Sequence, residues 1–258
     1  MDRRKVIYYS DEHNDEFSVA QITPREIDAD YVYIHNSRFK KFTHFFWYRI
    51  VATPIAFAYV KLFFGHTARG RHKLKKHLHD GYFMYGNHTQ DIADTFIPNV
   101  INFPQTDYVI AHANNVSMPV LGKITPSLGA LPLPDGIGAY RNFIEAVETR
   151  ISQGHTVVIY PEAHIWPYYT KIRDFPDTSF AYPAKLGVPV YCFTNTYHRR
   201  KLTGGAKIIT YIDGPFYPDM TKSVRARRKE LREKVYKTMC RRAEKSDYVQ
   251  IKYIKREK

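Results

Sequence analysis

From residue 82 onward, the chain alternates short apolar runs with longer amphipathic stretches. The runs are rich in β-branched and aromatic residues and predict strands at 82–85, 108–111, 156–160, 188–193 and 208–212. The stretches between them carry apolar residues at helical spacing and predict helices at 91–100, 140–152, 179–186 and 221–245. This alternation predicts an α/β fold with a mostly parallel central sheet flanked by helices.

Residues 1–65 have a different pattern. Residues 1–41 are polar without a clear period, which predicts an irregular arm. Residues 45–64 are apolar, but two cations and a proline interrupt them, so they fall short of the roughly 20 apolar residues that a spanning helix needs. Their ring-rich start and flanking cations are typical of a helix that lies in the head-group layer. We predict an N-terminal apolar helical element for membrane contact, with a buried core helix as the alternative.

The charge balance is strongly basic. Against 25 Asp and Glu there are 39 Lys and Arg, which gives a net charge of +14. Such a field attracts polyanions, which include nucleic acids, anionic lipid head groups and phosphorylated substrates. Because the signatures of RNA-binding strands, zinc fingers and helix-turn-helix motifs are absent, we expect an anionic membrane surface and no nucleic acid as partner. Two cysteines exclude a disulfide framework and a four-cysteine metal site.

One polar stretch at a predicted strand–helix junction could carry chemistry. Asn87-His88 follows the first predicted strand, and Asp91 and Asp94 follow His88 within six residues. A histidine acts as a base through one ring nitrogen when an acceptor holds the other, and either aspartate could be that acceptor. Asp91 could instead face the helix dipole, with Asn87 and Gln90 forming a capping box. We predict a catalytic His88 whose partner is Asp94, with Asp91 as the alternative.

Five motifs in order make this sequence similar to a known superfamily. They are the Asn-His pair at 87–88 with its following Asp, a block at 110–132, a third at 154–162, a helix and Val-Pro strand at 175–190, and a late strand at 208–215. From about residue 70 to 215 the chain resembles the glycerolipid acyltransferases, specifically the bacterial 1-acylglycerol-3-phosphate acyltransferases.

The chain departs from the family pattern at two positions that matter for function. Five residues separate His88 and Asp94, where the family has four, which predicts a one-residue bulge at the helix start. At 163–165, Ala-His-Ile replaces the Gly-Thr-Arg that grips phosphate in the family, and the arginine of the second block is also absent. Candidate substitutes for these cations are Arg141, Lys171 and Arg173, each of which could instead be a solvated surface charge.

The resemblance also assigns residues to the acceptor. It implies that Asn87 and Glu162 contact the substrate, although a strand-end acid such as Glu162 could instead accept hydrogen bonds from the backbone. His112 stands where the family often has lysine, which makes it a further substrate-binding candidate. A polar residue of a loop is the alternative for His112.

The resemblance implies transfer of a fatty acyl group from an acyl thioester, on coenzyme A or acyl carrier protein, to a lysophospholipid hydroxyl. The expected acceptor is 1-acylglycerol-3-phosphate, which would give phosphatidic acid, and no metal or further cofactor is expected. From the patterns along the chain we predict an N-terminal arm with an apolar membrane-contact helix at 1–65 and a second unit with a basic C-terminal helix at 66–258, which the resemblance identifies as an acyltransferase domain. Such a protein would be peripheral or monotopic at the cytoplasmic face of the cell membrane.

Two other functions stay open from the sequence. One is a non-catalytic or differently specific lipid-binding relative, which an assay of acyl-donor consumption would separate from the enzyme. The other is a metal hydrolase that uses His88, Asp91 and Asp94, which activity insensitive to chelators would exclude.

Overall fold

Seven strands form the central sheet within residues 4–17, 24–119, 121–201 and 204–256, which the computed structural model describes. The strands in chain order are β1 (Lys5–Tyr9), β2 (Thr67–Arg69), β3 (Tyr82–Gly86), β4 (Asp107–Ala111), β5 (Ala130–Pro132), β6 (Thr156–Ile159), β7 (Val190–Arg199), β8 (Ala206–Phe216) and β9 (Ile251–Lys255). Their order in the central sheet is β2-β8-β7-β3-β6-β4-β5, while β1 and β9 form a separate pair.

Most neighbours in the central sheet are parallel. Strands β7, β3, β6, β4 and β5 run in one direction. Strand β8 is antiparallel to β7, and β2 is parallel to β8 at the sheet edge. The predicted mostly parallel α/β fold is confirmed. Because parallel strands share one carboxyl edge, their following loops meet there, and open α/β sheets bind ligands at such edges.

Helices cover both faces of the sheet. They are α1 (Arg38–Phe45), α2 (Thr53–Phe64), α3 (Ala93–Asn102), α4 (Asn114–Ser117), α5 (Leu121–Ile124), α6 (Ile137–Ser152), α7 (Ala181–Leu186) and α8 (Val224–Ala243). In β3, Phe83 and Tyr85 pack into a cluster with α6 and α8, while Tyr82 and Met84 pack into a cluster with α2 and α3. Alternate residues of a strand point to opposite faces, so a sheet covered on both sides needs such an unbroken apolar run. Each buried side chain of this size contributes about 1.5–3 kcal/mol.

Two central strands, β7 and β8, extend further than the sequence pattern predicts. The apolar run of β7 gives way to Thr194, Asn195 and Thr196, yet the strand continues through them, and all three are buried. Polar residues in this position suggest the end of a strand, but here the side chains of Asn195 and Thr196 form hydrogen bonds inside the protein. The short strands β2 and β5 are also unpredicted because each has three residues.

The N-terminal arm contains a strand, which corrects the prediction of an irregular segment. Strand β1 pairs in parallel with β9, from Lys5 opposite Ile251 to Tyr9 opposite Lys255. The pairing joins the two ends of the chain, so no local turn signals it in the sequence. Residues 1–3 and 18–23 of the predicted arm lie outside the described residues.

The apolar stretch forms a continuous helical segment in which a π-helical part, Phe46–Ala52, joins α1 to α2. One face is buried, through Tyr48, Thr53, Ala56, Val60 and Phe64. The opposite face exposes Phe39, Phe42, Phe45, Phe46, Ile50, Ile55, Phe57, Leu62 and Phe63. The buried face agrees with the interpretation as a core helix, and membrane contact by the exposed face stays a prediction. Among the described residues, no helix combines the length and the apolar character needed to cross a bilayer.

Candidate active site

The carboxyl ends of β3, β6 and β7 bring polar side chains together at one edge of the central sheet. His88 follows β3 by two residues, and Glu162 follows β6 by three. Strand β7 continues beyond its last pairing with β3, Gly86 with Phe193, and carries Asn195 past the same edge. Gly86 permits this close approach, because a Cβ atom there would stand 2.1 Å from the Phe193 ring.

His88 and Asp94 form a hydrogen-bonded pair. His88 Nδ1 lies 2.9 Å from Asp94 Oδ2, and the imidazole is 18% exposed while the carboxylate is 2% exposed. The N–H groups of Thr89 and Gln90 donate to the same Oδ2 at 2.7 and 2.8 Å. Asn195 Nδ2 donates to Oδ1 at 3.2 Å. With Nδ1 held in this way, Nε2 is the ring nitrogen left to act as a base.

Asp94 reaches His88 because the chain between them is not helical. Helix α3 begins at Ala93, two residues later than predicted, and the extra residue is absorbed by a loop and a turn, so the predicted bulge is wrong. The predicted capping box is also wrong, since the N-cap residue Ile92 makes no side-chain cap. Instead of a capping side chain, the Asp94 carboxylate accepts hydrogen bonds from the preceding backbone N–H groups of Thr89 and Gln90.

Asp91 is not the partner of His88, which corrects that alternative. It lies exposed in the turn before α3, and among the described residues no hydrogen bond joins it to His88. Partial burial and the negative charge of Asp94 raise the pKa of Asp91, and His88 opposes this effect. Asp91 is therefore an acid near the mouth of the site rather than a part of the pair.

Tyr160 forms a platform for the His88 ring. It follows β6 directly, and the two rings stack with their centroids 4.4 Å apart and their planes at 18°. The Tyr160 hydroxyl donates to the backbone carbonyl of Asp94. Tyr160 therefore contacts both members of the pair and holds the imidazole in the orientation in which Nδ1 meets Asp94.

Glu162 and Arg173 form a buried ion pair next to His88. Arg173 Nη2 lies 3.3 Å from Glu162 Oε2, and both side chains are at most 1% exposed. Glu162 also accepts from the backbone N–H of His88 at 3.2 Å and from that of Arg173 at 3.1 Å. Burial raises the pKa of Glu162, and the Arg173 charge opposes this rise.

These contacts engage Glu162 and Arg173 within the protein, and substrate contact by either residue stays a prediction. Glu162 takes the alternative role of a strand-end acid that accepts from the backbone, and in this role it fixes the main chain of His88. Arg173 is held by Glu162 and by the His164 carbonyl, and its guanidinium lies over the Trp166 ring at 4.9 Å. Its guanidinium is therefore held inside the protein rather than exposed as a surface charge.

Asn87 is also buried and engaged within the protein, and its contact with the substrate stays a prediction. Its Nδ2 donates to the Asn195 carbonyl at 3.1 Å, and its Oδ1 accepts from the Asn195 N–H at 2.8 Å. This two-way pair continues the link between β3 and β7 beyond their last backbone pairing. Asn87 thus places His88 relative to Asn195.

The three remaining substrate candidates lie at the surface. Arg141 is in α6, Lys171 is in the loop after β6, and both are exposed. His112 is exposed in the loop after β4, where its Nδ1 accepts from the N–H of Asn114 at 3.2 Å. His112 therefore makes the local contact of a loop polar residue, and substrate contact by any of the three stays a prediction.

The N-terminal arm covers the loop in which Ala-His-Ile replaces Gly-Thr-Arg. Glu16 Oε2 lies 2.9 Å from His164 Nδ1, and Glu16 Oε1 accepts from the Ile165 N–H at 3.2 Å. The buried Trp166 donates through Nε1 to the Asp15 carbonyl at 2.8 Å. A carboxylate, rather than an arginine, therefore occupies this part of the site.

No group of three or more His, Cys, Asp or Glu side chains in the described ranges is placed to hold a metal ion. His88, Asp91 and Asp94 in particular do not gather around a common point, since Asp94 is turned to His88 and to backbone donors. The arrangement suits proton transfer at Nε2 of His88.

No family model and no curated protein matches this chain. The crystal structure of the 1-acyl-sn-glycerophosphate (LPA) acyltransferase PlsC from Thermotoga maritima does match it. The match has a TM-score of 0.56 and covers 80% of this chain and 86% of the other. The chain has the fold of that acyltransferase. The two sequences are 23% identical, so the likeness to PlsC speaks for architecture and the residues described above must carry the chemistry.

Two residues of the site are absent from the sequence predictions. Asn195 binds Asp94, and Tyr160 stacks on His88. A signal for Asn195 exists in the run Thr194-Asn195-Thr196, which directly extends an apolar strand. Tyr160 closes a buried β-branched strand and gives no comparable signal, because a tyrosine there is compatible with simple packing.

Proposed function

We propose that this protein is an acyltransferase that moves a fatty acyl group from an acyl thioester to the hydroxyl of a lysophospholipid. The observation that carries the proposal is the pair of His88 Nδ1 and Asp94 Oδ2 at 2.9 Å, at the carboxyl edge of the sheet. The fold shared with an acyltransferase supports it. The imidazole is partly exposed while its partner is buried, which suits a base that must meet a substrate.

The reaction is a direct transfer. His88 Nε2 takes the proton of the acceptor hydroxyl as its oxygen attacks the thioester carbonyl; the carbon–sulfur bond then breaks, and the proton passes to the leaving thiolate. The Asp94 carboxylate holds the Nδ1–H tautomer and stabilises the imidazolium that forms between these steps. A positioned general base of this kind contributes about 10²–10⁴-fold to the rate.

For the acceptor we propose 1-acylglycerol-3-phosphate first, with coenzyme A or acyl carrier protein as the donor carrier. The Thermotoga maritima enzyme, a 1-acyl-sn-glycerophosphate acyltransferase with the same fold, supports this choice. The carboxylate of Glu16 beside His164, and the burial of Arg173, favour a differently specific relative as the second candidate. A negative group near the acceptor's phosphate would weaken binding of a phosphate monoester.

We propose that the protein works as a peripheral protein on an anionic membrane surface. The exposed rings of α1 and the π-helical part form an apolar face, and exposed cations lie in the same segment at Arg38, Lys40, Lys41 and Lys61. Rings of this kind sit at the head-group level, and each cation near an anionic surface is worth about 1 kcal/mol. The bilayer would thus deliver the lysolipid to the enzyme.

The test is release of free thiol from acyl-CoA or acyl carrier protein with a panel of lysolipids. We expect turnover with the parent and a loss of at least about 100-fold in His88→Ala. His79→Ala, at an exposed histidine away from the pair, is the matched control and should retain activity. Equal turnover by His88→Ala and the parent would end the proposal, and lipid binding without any thiol release would favour the non-catalytic relative.

A further inference from the structure

A chain of hydrogen bonds runs from Asp94 to the end of the apolar helical segment. Asn195 Nδ2 donates to Asp94 Oδ1 at 3.2 Å, and Asn195 Oδ1 accepts from the Thr210 hydroxyl at 2.7 Å. The Thr210 hydroxyl oxygen lies 2.8 Å from His66 Nε2. Every member of this chain is at most 5% exposed, so water does not compete for these bonds.

Three secondary-structure elements converge to build the chain. Asn195 in β7 and Thr210 in β8 are direct partners in the antiparallel register. His66 follows Gly65, which ends α2 in the left-handed conformation, and the His66 N–H donates to the Val60 carbonyl at 3.1 Å. The position of His66 is therefore set by the C-terminal end of the apolar helix.

The donors and acceptors in this chain of hydrogen bonds permit one direction of donation, from His66 towards Asp94. Asp94 accepts hydrogen bonds from two backbone N–H groups and from His88, as an ionised carboxylate does. Its Oδ1 therefore needs the NH₂ group of Asn195 rather than the carbonyl oxygen. Thr210 has one hydroxyl proton, and giving it to Asn195 Oδ1 leaves its oxygen free to accept from a ring N–H of His66.

His66 is suited to begin this chain. Burial lowers the pKa of His66 to about 4, with the Lys61 charge acting in the same direction, so the ring is neutral at pH 7 and carries one N–H. With that proton on Nε2, each group donates to the next until the chain ends on the carboxylate. Loss of the Thr210 hydroxyl would remove the donor that holds Asn195 Oδ1. The Asn195 amide could then rotate and turn its oxygen towards Asp94.

We propose that Asn195 is a positioning residue for the His88–Asp94 pair, with Thr210 and His66 fixing its orientation; this role rests on the proposed function for its effect on turnover. Asn195 reaches the pair from both sides, since its backbone binds Asn87 and its side chain binds Asp94. A turned amide would face the carboxylate with an oxygen and would shift Asp94 Oδ2 away from His88 Nδ1.

The variants that test this role change one hydroxyl in a buried place. Thr210→Val keeps the shape and removes the hydrogen bonds, whereas Thr210→Ser keeps the hydroxyl. Thr194→Val is the matched control, because Thr194 is fully buried in the same β7 and its hydroxyl has no partner among the described residues. His66→Leu removes the first donor, and His66→Gln restores one.

We expect Thr210→Val and His66→Leu to lower kcat by about 10–100-fold, the range found when a residue that orients a functional histidine is lost, with KM within about twofold. Thr210→Ser, His66→Gln and Thr194→Val should stay within about threefold of the parent. The same kcat for Thr210→Val and Thr194→Val would overturn the proposal. So would equal losses in Thr210→Val and Thr210→Ser, which would indicate a merely structural role.

A second readout is independent of turnover. The Nδ1 proton of His88, assigned in the NMR spectrum by its absence in His88→Gln, reports on the hydrogen bond to Asp94 whatever the protein catalyses. We expect this resonance to be shielded from exchange in the parent, Thr210→Ser and Thr194→Val, and to weaken or move in Thr210→Val. An unchanged resonance in Thr210→Val would overturn the positioning role. The expected pattern in a protein that consumes no acyl thioester would support that role and overturn the proposed function.

Discussion

At the scale of single residues, the four hydrogen bonds that Asp94 accepts limit what can replace it. All four donors point at carboxylate oxygens, two of them from the backbone. An amide at this position must turn its NH₂ group towards one of these donors. The Asp94 site is therefore specific for a carboxylate, whereas Asp91 is exposed in the preceding turn.

We expect Asp94→Asn to lower kcat by about 10²–10⁴-fold, because the amide cannot hold His88 in the Nδ1–H tautomer. Asp91→Asn should leave kcat within about twofold. Steady-state thiol release at saturating substrate measures both variants, and Asp91→Asn serves as the control for loss of one negative charge. A larger loss in Asp91→Asn than in Asp94→Asn would reverse the assignment of the partner.

Asp107, at the start of β4, gives a prediction on pH and stability. It is buried, Asn102 Nδ2 donates to its Oδ1 at 2.6 Å, and burial raises the pKa of Asp107 to about 7. An aspartate in the unfolded chain titrates near pH 4, so between about pH 4 and 7 the folded state holds a proton that the unfolded state has lost. The free energy of unfolding therefore falls as pH rises through this window and levels off above it.

We expect Asp107→Asn to lack this fall, because the amide is neutral throughout. At pH 8 it should be more stable than the parent by up to about 4 kcal/mol, and the two should converge towards pH 4. Urea unfolding from pH 4 to 8 measures the difference. Parallel curves for the two proteins across this range would contradict the expectation.

His88 and Asp94 could be predicted from the sequence because a short motif places both at the end of one strand. Asn195 could not, because its contact with Asp94 depends on the register of β7 against β3, and this is decided by packing between residues more than 100 positions apart. Glu162 and Arg173 were assigned to substrate because a polar residue near a site and a polar residue that supports it look alike in sequence. The structure adds the burial and the ion pair of these two side chains, which no local sequence pattern indicates.

At the scale of elements, the helical segment from α1 to α2 has one face buried against the protein and one face exposed. Its buried face packs on the sheet and, through His66, touches the chain of bonds that ends at Asp94. Its exposed face carries Phe39 at 71% exposure and Phe42 at 63%. An exposed side chain of this kind contributes little to folding, so its substitution tests surface binding without loss of stability.

We expect Phe39→Ser and Phe42→Ser, combined, to reduce recovery of the protein with floated liposomes that contain anionic lipid. Losing two rings that enter the head-group layer costs about 1.5–3 kcal/mol each if both are fully buried there. Met220→Ser, at an exposed apolar residue in the loop before α8, is the matched control. If flotation of the double variant matched that of Met220→Ser, the apolar face would not be the contact surface.

The sequence predicted this segment as one apolar helix because its apolar residues follow each other with few breaks. It could not assign the faces, since buried and exposed positions carry the same aromatic residue types. The start of α3 was predicted at 91 and lies at Ala93 for a related reason. An aspartate in the first turn of a helix is explained by its favourable interaction with the helix dipole. Here Asp94 also accepts hydrogen bonds from the preceding loop and from His88.

At the scale of the whole molecule, β1 and β9 join the two ends of the described chain beside the site. The Trp166 ring is fully buried and contacts Tyr9, Phe17 and Tyr253. Trp166 belongs to the loop whose backbone binds the His88 carbonyl at 3.1 Å. The arm thus supports the His88 loop from outside the central sheet.

We expect removal of residues 1–17 to lower the melting temperature and to shift Trp fluorescence to longer wavelength, because Trp166 would meet water. The loss of β1 and of the ring contacts should cost about 2–5 kcal/mol, the cost of exposing two or three apolar side chains. Removal of residues 1–3 alone is the control, since it spares β1. An unchanged melting temperature in the longer deletion would show that the arm adds nothing to stability.

The alternation of apolar runs was sufficient to predict the α/β architecture, because each buried strand carries its own local signal. The pairing of β1 with β9 was not predictable from such signals, since each partner alone reads as a short isolated strand. Which distant strands pair depends on which strand edges and apolar surfaces stay uncovered once the central sheet has formed.

Because Cys192 lies in the central sheet, the rate at which its thiol reacts with a reagent can report local opening of the sheet. Its thiol is fully buried in β7, between Tyr85 of β3 and Asp213 of β8, and burial raises its pKa above the ordinary value. A thiol reagent can reach it when these strands part, while the half-buried Cys240 on α8 provides an internal reference. The ratio of the two labelling rates would therefore measure how often the strand that carries Asn195 detaches, without any tag or substitution.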